Sequence, residues 1–271
     1  MTVQLDQARI AICERSWADN LDLALHVMRA YGRPLIVCSV VLIVPLAVLN
    51  HIFIMALQPE LMSGDEFTVV FYWLACLVLI EAPLATAPIT LYLGQALFVE
   101  KPSAREAVSS FVRSLPQLIL LQFIVRAILI LPVVTWFFPF SMWPYLNEVI
   151  LLERNPLVGR RGRLSTLKRN TLLHRGSSGD YAIRAIGSGL LSVLLITALY
   201  LTEDLLVRNL LGFEPGLTGW LVEMQLAFWL VAVYFCVVRF LGYLDGRIRN
   251  EGWEIELQLR AQRARLVGQP A

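Results

Sequence analysis

The sequence predicts an all-α membrane protein, a bundle of six transmembrane helices with amphipathic helices along its cytoplasmic side. Three observations predict it. The chain is 57% hydrophobic and 16% charged, where soluble domains run about 45–50% and about 25%. Its apolar residues form runs near the ~17–25 residues that a helix needs to cross the hydrocarbon core. Within Pro34–Leu57 and Phe67–Ile80 those runs lack the polar stripe of a soluble core helix. Finally, nearly all Lys and Arg fall on one side of the predicted spans.

The first 33 residues read as a cytoplasmic amphipathic segment. Trp17, Leu21, Leu25, Met28 and Tyr31, with Ala24, recur at helical spacing over Ser16–Gly32. Asp19 and Asp22 stand near its start, where the helix dipole favours acids. No signal-peptide pattern is read there, so the first apolar run is expected to stay as an anchor. That run is Pro34–Leu57.

The second span is Phe67–Phe98, long and interrupted by Pro83 and Pro88. Ser103-Ala104-Arg105-Glu106 then reads as a capping box opening an interfacial helix over Ser103–Ser114. Spans three and four share Pro116–Leu152, near the lower length limit for two crossings. The expected turn is Phe138-Pro139-Phe140-Ser141, flanked by Trp136 and Trp143 at an interface. A short or re-entrant hairpin is expected. A single span here would put the basic residues of the next loop outside. Arg163–Arg175 is a basic helix candidate, and Gly176–Asp180 reads as a helix stop followed by a new cap. The fifth span is roughly Ile183–Val207 and the sixth roughly Leu217–Leu241. Residues 242–271 read as a cytoplasmic helix continuing from span six, with Asp245–Arg249 and Glu256–Arg260 at pairing distance. The bundle therefore occupies 34–241, with a basic cytoplasmic loop at 153–184.

Charge gives the orientation. Every Lys and Arg lies on the N-terminal segment, the loops after spans two and four, or the inner end of span six and beyond, except Arg126 and Arg208. Outer loop Gln58–Glu66 carries Glu60, Asp65 and Glu66 and no cation. Both termini are thus expected in the cytoplasm, with the chain in a plasma (inner) membrane. A net charge of +2 gives no footprint for nucleic acid.

Three inward-going spans end in related strings that begin at Tyr92-Leu93, Tyr145-Leu146 and Tyr243-Leu244, each with Glu eight residues after the Tyr. At ~1.5 Å per residue this offset covers ~12 Å, from below the headgroups to water. A threefold repeat of helical hairpins is one reading, and chance recurrence in a Leu-rich chain is the other.

The pattern resembles bacterial six-span membrane proteins related to the glycerophosphoryl diester phosphodiesterase membrane domain. The residues that carry the resemblance are the Trp17–Pro45 amphipathic lead into span one, Glu153-Arg154-Asn155-Pro156, and Tyr243-Leu244-Asp245-Gly246-Arg247-Ile248-Arg249-Asn250-Glu251-Gly252-Trp253-Glu254. The resemblance implies an integral membrane component and no phosphodiesterase activity, which belongs to a separate soluble barrel domain.

Ionisable groups inside spans are costly and mark functional candidates. Glu81 and Arg126 are such groups, either as a mutual ion pair or as a proton or substrate site. Asn147, Glu148 and Glu223, with Asn50 and His51, either line one polar cavity or make separate interhelical hydrogen bonds. Arg160, Arg161, Arg163, Lys168 and Arg169 are candidate contacts for anionic lipid headgroups, or charges that only set topology. Cys13, Cys38, Cys76 and Cys236 read as small buried hydrophobes. His26, His51 and His174 are too dispersed for a metal motif. No catalytic constellation or cofactor motif is read. The expected function is a non-enzymatic membrane scaffold or accessory component, with a membrane or cytoplasmic protein partner. The alternative is a transporter or lipid-handling protein that uses the intramembrane polar residues.

Overall fold

The computed structural model describes residues 15–61, 66–97, 102–130, 144–159, 164–174, 178–214 and 216–251. All its regular elements are helices, and five helical runs are long and apolar enough to cross a membrane: Gly32–Leu57, Thr68–Ala96, Ala104–Ile128, Gly179–Leu210 and Leu217–Asn250. The expected turn at Phe138–Ser141, Trp136 and Trp143 lie outside the described residues, and the fourth predicted span is described from residue 144 onward.

Helix α1 is Trp17–Ala30, and its start is written in the sequence. Ser16 accepts from the Asp19 amide and Asp19 reaches back to the Ser16 amide, a complete capping box. Its buried face is Asn20, Ala24 and Val27, while Leu25 is 57% exposed. The expected stripe is therefore turned: small Ala24 allows close approach to the last helix, and the larger Leu25 is left outside. Tyr31 ends α1, and α2 follows at once as Gly32–Leu61. Much of α2 presents Ile36, Val37, Val40, Val44, Val48, Leu49 and Ile52 outward. In the absence of a soluble core to bury them, that face suits lipid.

Helices α3 (Glu66–Ala85) and α4 (Ala87–Ala96) form the second run. Pro83 and Pro88 remove two backbone donors, and the chain breaks at Thr86 between them. Thr86 caps the first segment with two bonds to the Ala82 carbonyl, from its amide at 3.0 Å and its hydroxyl at 2.6 Å.

The third run departs from expectation. Helix α5 (Ala104–Leu118) passes through Pro116, widens into a π-helical stretch at Ile119–Ile124 and continues as α6 (Val125–Ile130). The expected interfacial helix and span three are thus one helical run. Pro116 lacks the amide that would bond Val112, and the ladder resumes with wider spacing rather than stopping. Half of the expected capping box is present: the Ser103 hydroxyl accepts from the Glu106 amide, but the Ser103 amide donates to Gln95 Oε1 at 3.3 Å instead of to Glu106.

From residue 144 the described chain continues as α7 (Leu146–Glu148), a π-helical turn at Val149–Glu153, and a left-handed Arg154 that ends it. Leu146, Val149, Ile150 and Leu151 are each at most 1% exposed, so this segment sits inside the bundle. Helix α8 (Thr166–His174) packs beneath it. Helix α9 (Ser178–Asp204) carries the fourth run and α10 (Leu217–Glu251) the fifth. The most apolar window of α9 has no buried residue. Helix α10 is its opposite, mostly buried along the span and at the centre of the fold. The predicted extension of span six beyond Leu241 is real as far as Glu251; Gly252 and Glu256–Arg260 lie outside the described residues.

Two glycines set close approaches at the end where residue 15 meets Arg249. A Cβ on Gly242 would lie 2.7 Å from the Tyr145 hydroxyl, and one on Gly94 would lie 2.5 Å from Leu152 Cδ2. The neighbours differ. Tyr145 is wedged among His174, Tyr181 and Tyr243, with ring centroids 5.6, 5.3 and 6.3 Å away, whereas the Leu152 tip can change rotamer. Gly242→Ala is expected to cost about 1–3 kcal/mol as overpacking, and Gly94→Ala less. Thermal unfolding in detergent checks this. Tyr145→Phe, which removes the clashing hydroxyl, should recover most of the Gly242→Ala loss, and additive losses would count against the contact.

Candidate functional site

The polar residues singled out in the sequence do not share one cavity. The structure distributes them over three places. In the first, α2 meets α3: buried Asn50 donates its Nδ2 hydrogen to Glu81 Oε2 at 2.8 Å. Glu81 thereby belongs to Asn50, not to Arg126.

The second place lies where α7 meets α10 and the α3–α4 break. Glu148, fully buried, accepts from Arg239 Nε at 2.7 Å. Asn147 donates to the Pro83 carbonyl at 3.1 Å, next to the proline break. Arg126, also buried, stands close enough for its charge to act on Arg239, and it donates to Gln122 one turn back at 3.4 Å. Cys236, on the face of α10 near Arg239, contacts the Thr90 hydroxyl at 3.5 Å. Glu148 and Arg239 therefore pair inside the bundle, with a second buried guanidinium, Arg126, within electrostatic range of Arg239. Arg239 was missed as a site residue because it counted as an inner-end charge. Its setting in Val237-Val238-Arg239-Phe240-Leu241 is the signal that marks it as intramembrane.

The third place is the far end of α10, where Glu223 lies within electrostatic range of Asp204, Arg208 and Glu203. Asp204 pairs with Arg208 one turn on.

The basic segment has its own order. Arg169 grips Glu153 with two hydrogen bonds, at 2.5 and 2.9 Å, and Tyr243 and Asn155 each donate to the same carboxylate at 2.9 Å. Burial pushes the Glu153 carboxyl up, but the Arg169 bonds and charge, with Tyr243, outweigh it and hold the group below the usual carboxylate range. Asn155 and Pro156 then start α8, because the Thr166 amide bonds the Pro156 carbonyl and its hydroxyl the Asn155 carbonyl. Lys168 is exposed, while Arg160, Arg161 and Arg163 lie outside the described residues. His174 stacks on Tyr145, and burial keeps its imidazole below the ordinary value against the opposing bond to the Asn170 carbonyl.

Asp245 is a second hub. It is 3% exposed and accepts from the Arg15 amide, Arg184 Nη1 and Arg249 Nε, each at 3.0 Å. The predicted Asp245–Arg249 pair is thus present, with two further donors from distant parts of the chain. Among the described residues no His/Cys/Asp/Glu group is placed to hold a metal ion.

No family model, curated protein or solved structure matches this chain. The functional reading therefore rests on these contacts. Asn50–Glu81, Asn147–Pro83 and Glu148–Arg239 each join two separate segments of the chain, and each satisfies groups that are costly in an apolar medium. That is a chemistry of assembly. The satisfaction is partial: among the described residues Glu148 Oε2, Arg239 Nη2 and Asn147 Oδ1 in the second place, and Glu223 Oε2 in the third, have no hydrogen-bond partner.

Proposed function

We propose that this chain is a non-enzymatic integral membrane scaffold or accessory component of a plasma (inner) membrane. The observation that supports the reading is that buried polar groups pair across separate segments of the chain, above all Glu148 with Arg239. A bundle that commits its intramembrane charges to holding helices together is suited to presenting surfaces rather than turning over a substrate. The proposal includes six spans with both termini cytoplasmic and kinship with the six-span proteins named above. The one-sided Lys and Arg pattern and the burial of Leu146–Leu151 support the even count.

The topology is tested with single cysteines in a background lacking the natural ones. Phe213→Cys and Gly179→Cys should react with an impermeant thiol reagent from opposite sides, and same-side labelling would sink the six-span plan. The scaffold reading is tested in proteoliposomes. The purified chain should leave proton and small-ion leakage at the level of protein-free vesicles. A second reading, transport or lipid handling, draws on the open Glu148 Oε2 and Arg239 Nη2 atoms. A leak above background that Glu148→Gln abolishes in a folded protein would favour it and overturn the first.

A further inference from the structure

A cleft of about 380 Å³ opens where α1, the start of α9 and the end of α10 meet, lined by Ser16, Trp17, Asp180, Ile183, Arg184, Gly187 and Arg249. Two of its lining residues, Arg184 and Arg249, are bound to buried Asp245. Its wall is the Trp17 indole, laid over Gly187 so closely that a Cβ there would meet the ring at 3.2 Å, and pinned by an Nε1–H bond to Ser188 Oγ. Trp is the side chain suited to the boundary between headgroups and acyl chains.

The charges in the cleft balance. Arg184 uses Nη1 on Asp245 and Nη2 on Asp180, while Arg249 uses Nε on Asp245 and Nη2 on the Arg15 carbonyl. A guanidinium has five N–H donors in a fixed fork, so these contacts leave donors over on both residues, which line the cleft. Asp180 is 54% exposed at its side chain, so its carboxylate is open to a second cation. One flank is apolar and continuous. Ile183, Ile186 and Leu190 are 71%, 50% and 70% exposed and lead away from the cleft along α9.

We infer that this cleft is a phospholipid site selective for a zwitterionic, amine-bearing headgroup. The phosphate lies against the free donors of Arg184 and Arg249, because guanidinium and phosphate match in geometry and charge. The ammonium group meets Asp180. The acyl chains follow the Ile183–Leu190 face, which gives that unburied helix an apolar neighbour. Because two guanidiniums are already offset by two carboxylates, a net-neutral headgroup fits the site better than an anionic one. The site takes Asp180, Ile183 and Arg184 from the end of the basic loop 153–184 and none of the headgroup candidates between Arg160 and Arg169. The inference rests on the membrane reading above.

Native mass spectrometry of the full chain, loaded with equal amounts of phosphatidylethanolamine, phosphatidylcholine and phosphatidylglycerol, tests it. The wild type should retain phosphatidylethanolamine several-fold over the other two. Asp180→Asn should bring it down to the phosphatidylcholine level, and Arg249→Gln should lower retention of all three. Millimolar inorganic phosphate should displace none of the lipid. Equal retention by the wild type, no effect of Asp180→Asn, or displacement by phosphate would each overturn the assignment, the last by pointing to a soluble phosphate ligand. If Arg249→Gln does not fold, the more exposed Asp180→Asn carries the test. Alkaline carbonate extraction separates the two levels. Release from membranes would defeat the membrane reading, whereas retention without lipid preference would defeat only the headgroup site.

Discussion

Glu148→Ala is expected to destabilise the bundle by about 3–5 kcal/mol, the range for breaking a buried ion pair from one side. The argument begins with burial. Glu148 is fully buried and its Oε1 takes the Arg239 Nε hydrogen at 2.7 Å. A good interhelical hydrogen bond in lipid contributes only about 1–2 kcal/mol, so the loss of attraction is the smaller part. The larger part is what remains: Arg239 without its counter-ion and within range of Arg126. The mirror variant, Arg239→Met, should cost less. A carboxyl left alone in an apolar site is able to take up a proton, but a guanidinium is not able to lose one. The double variant Glu148→Leu/Arg239→Met should recover most of the loss, since well-packed apolar groups often replace a buried pair at little cost. Unfolding midpoints in detergent for the two single variants and the double give the coupling. Additive losses, or a larger loss from Arg239→Met, would show that the pair does not hold these segments together.

The sequence discloses these pairs unevenly, for physical reasons. Spans are legible because the bilayer demands long apolar runs, and α2, α9 and α10 lie where hydropathy puts them. Caps are legible because they are local, as at Ser16–Asp19 and Ser103–Glu106. The rotation of α1 is not. Leu25 belongs to the apolar stripe as fully as Ala24 does, and only contact with α10 decides that the small residue goes inside. Pro116 reads as a boundary, yet the helix runs through it and widens just beyond. Partner choice is the least legible property. Glu81 and Arg126 are the intramembrane charges of neighbouring spans and look made for each other, but Asn50 takes the first. Arg239 joins Glu148 across a separation of 91 residues, which no local spacing rule reaches.

Glu153 is expected to be the acid-sensitive joint of the fold. It fastens the end of the segment that includes α7 to α8 through Arg169, and to α10 through Tyr243. Its carboxylate receives donors from three residues, Arg169, Tyr243 and Asn155, so Glu153→Ala removes a hydrogen-bond acceptor from all three at once. Arg169 and Glu153 keep 19% and 13% of their side chains exposed. Solvent screening therefore places the cost near the lower end of the buried-pair range, about 3 kcal/mol. Arg169→Lys should cost part of this, because a single ammonium does not reproduce a two-toothed guanidinium grip. The pH dependence has a definite sign. The folded protein holds the Glu153 carboxyl below its ordinary value of 4.5. The stabilisation is therefore complete above that value and fades as pH falls through the lower folded one. Between about pH 5 and pH 3 the wild type should lose more stability than Glu153→Gln, and the gap between their unfolding midpoints should close. A gap that stays constant over that range would mean that shape and hydrogen bonding, rather than the carboxylate charge, secure the joint.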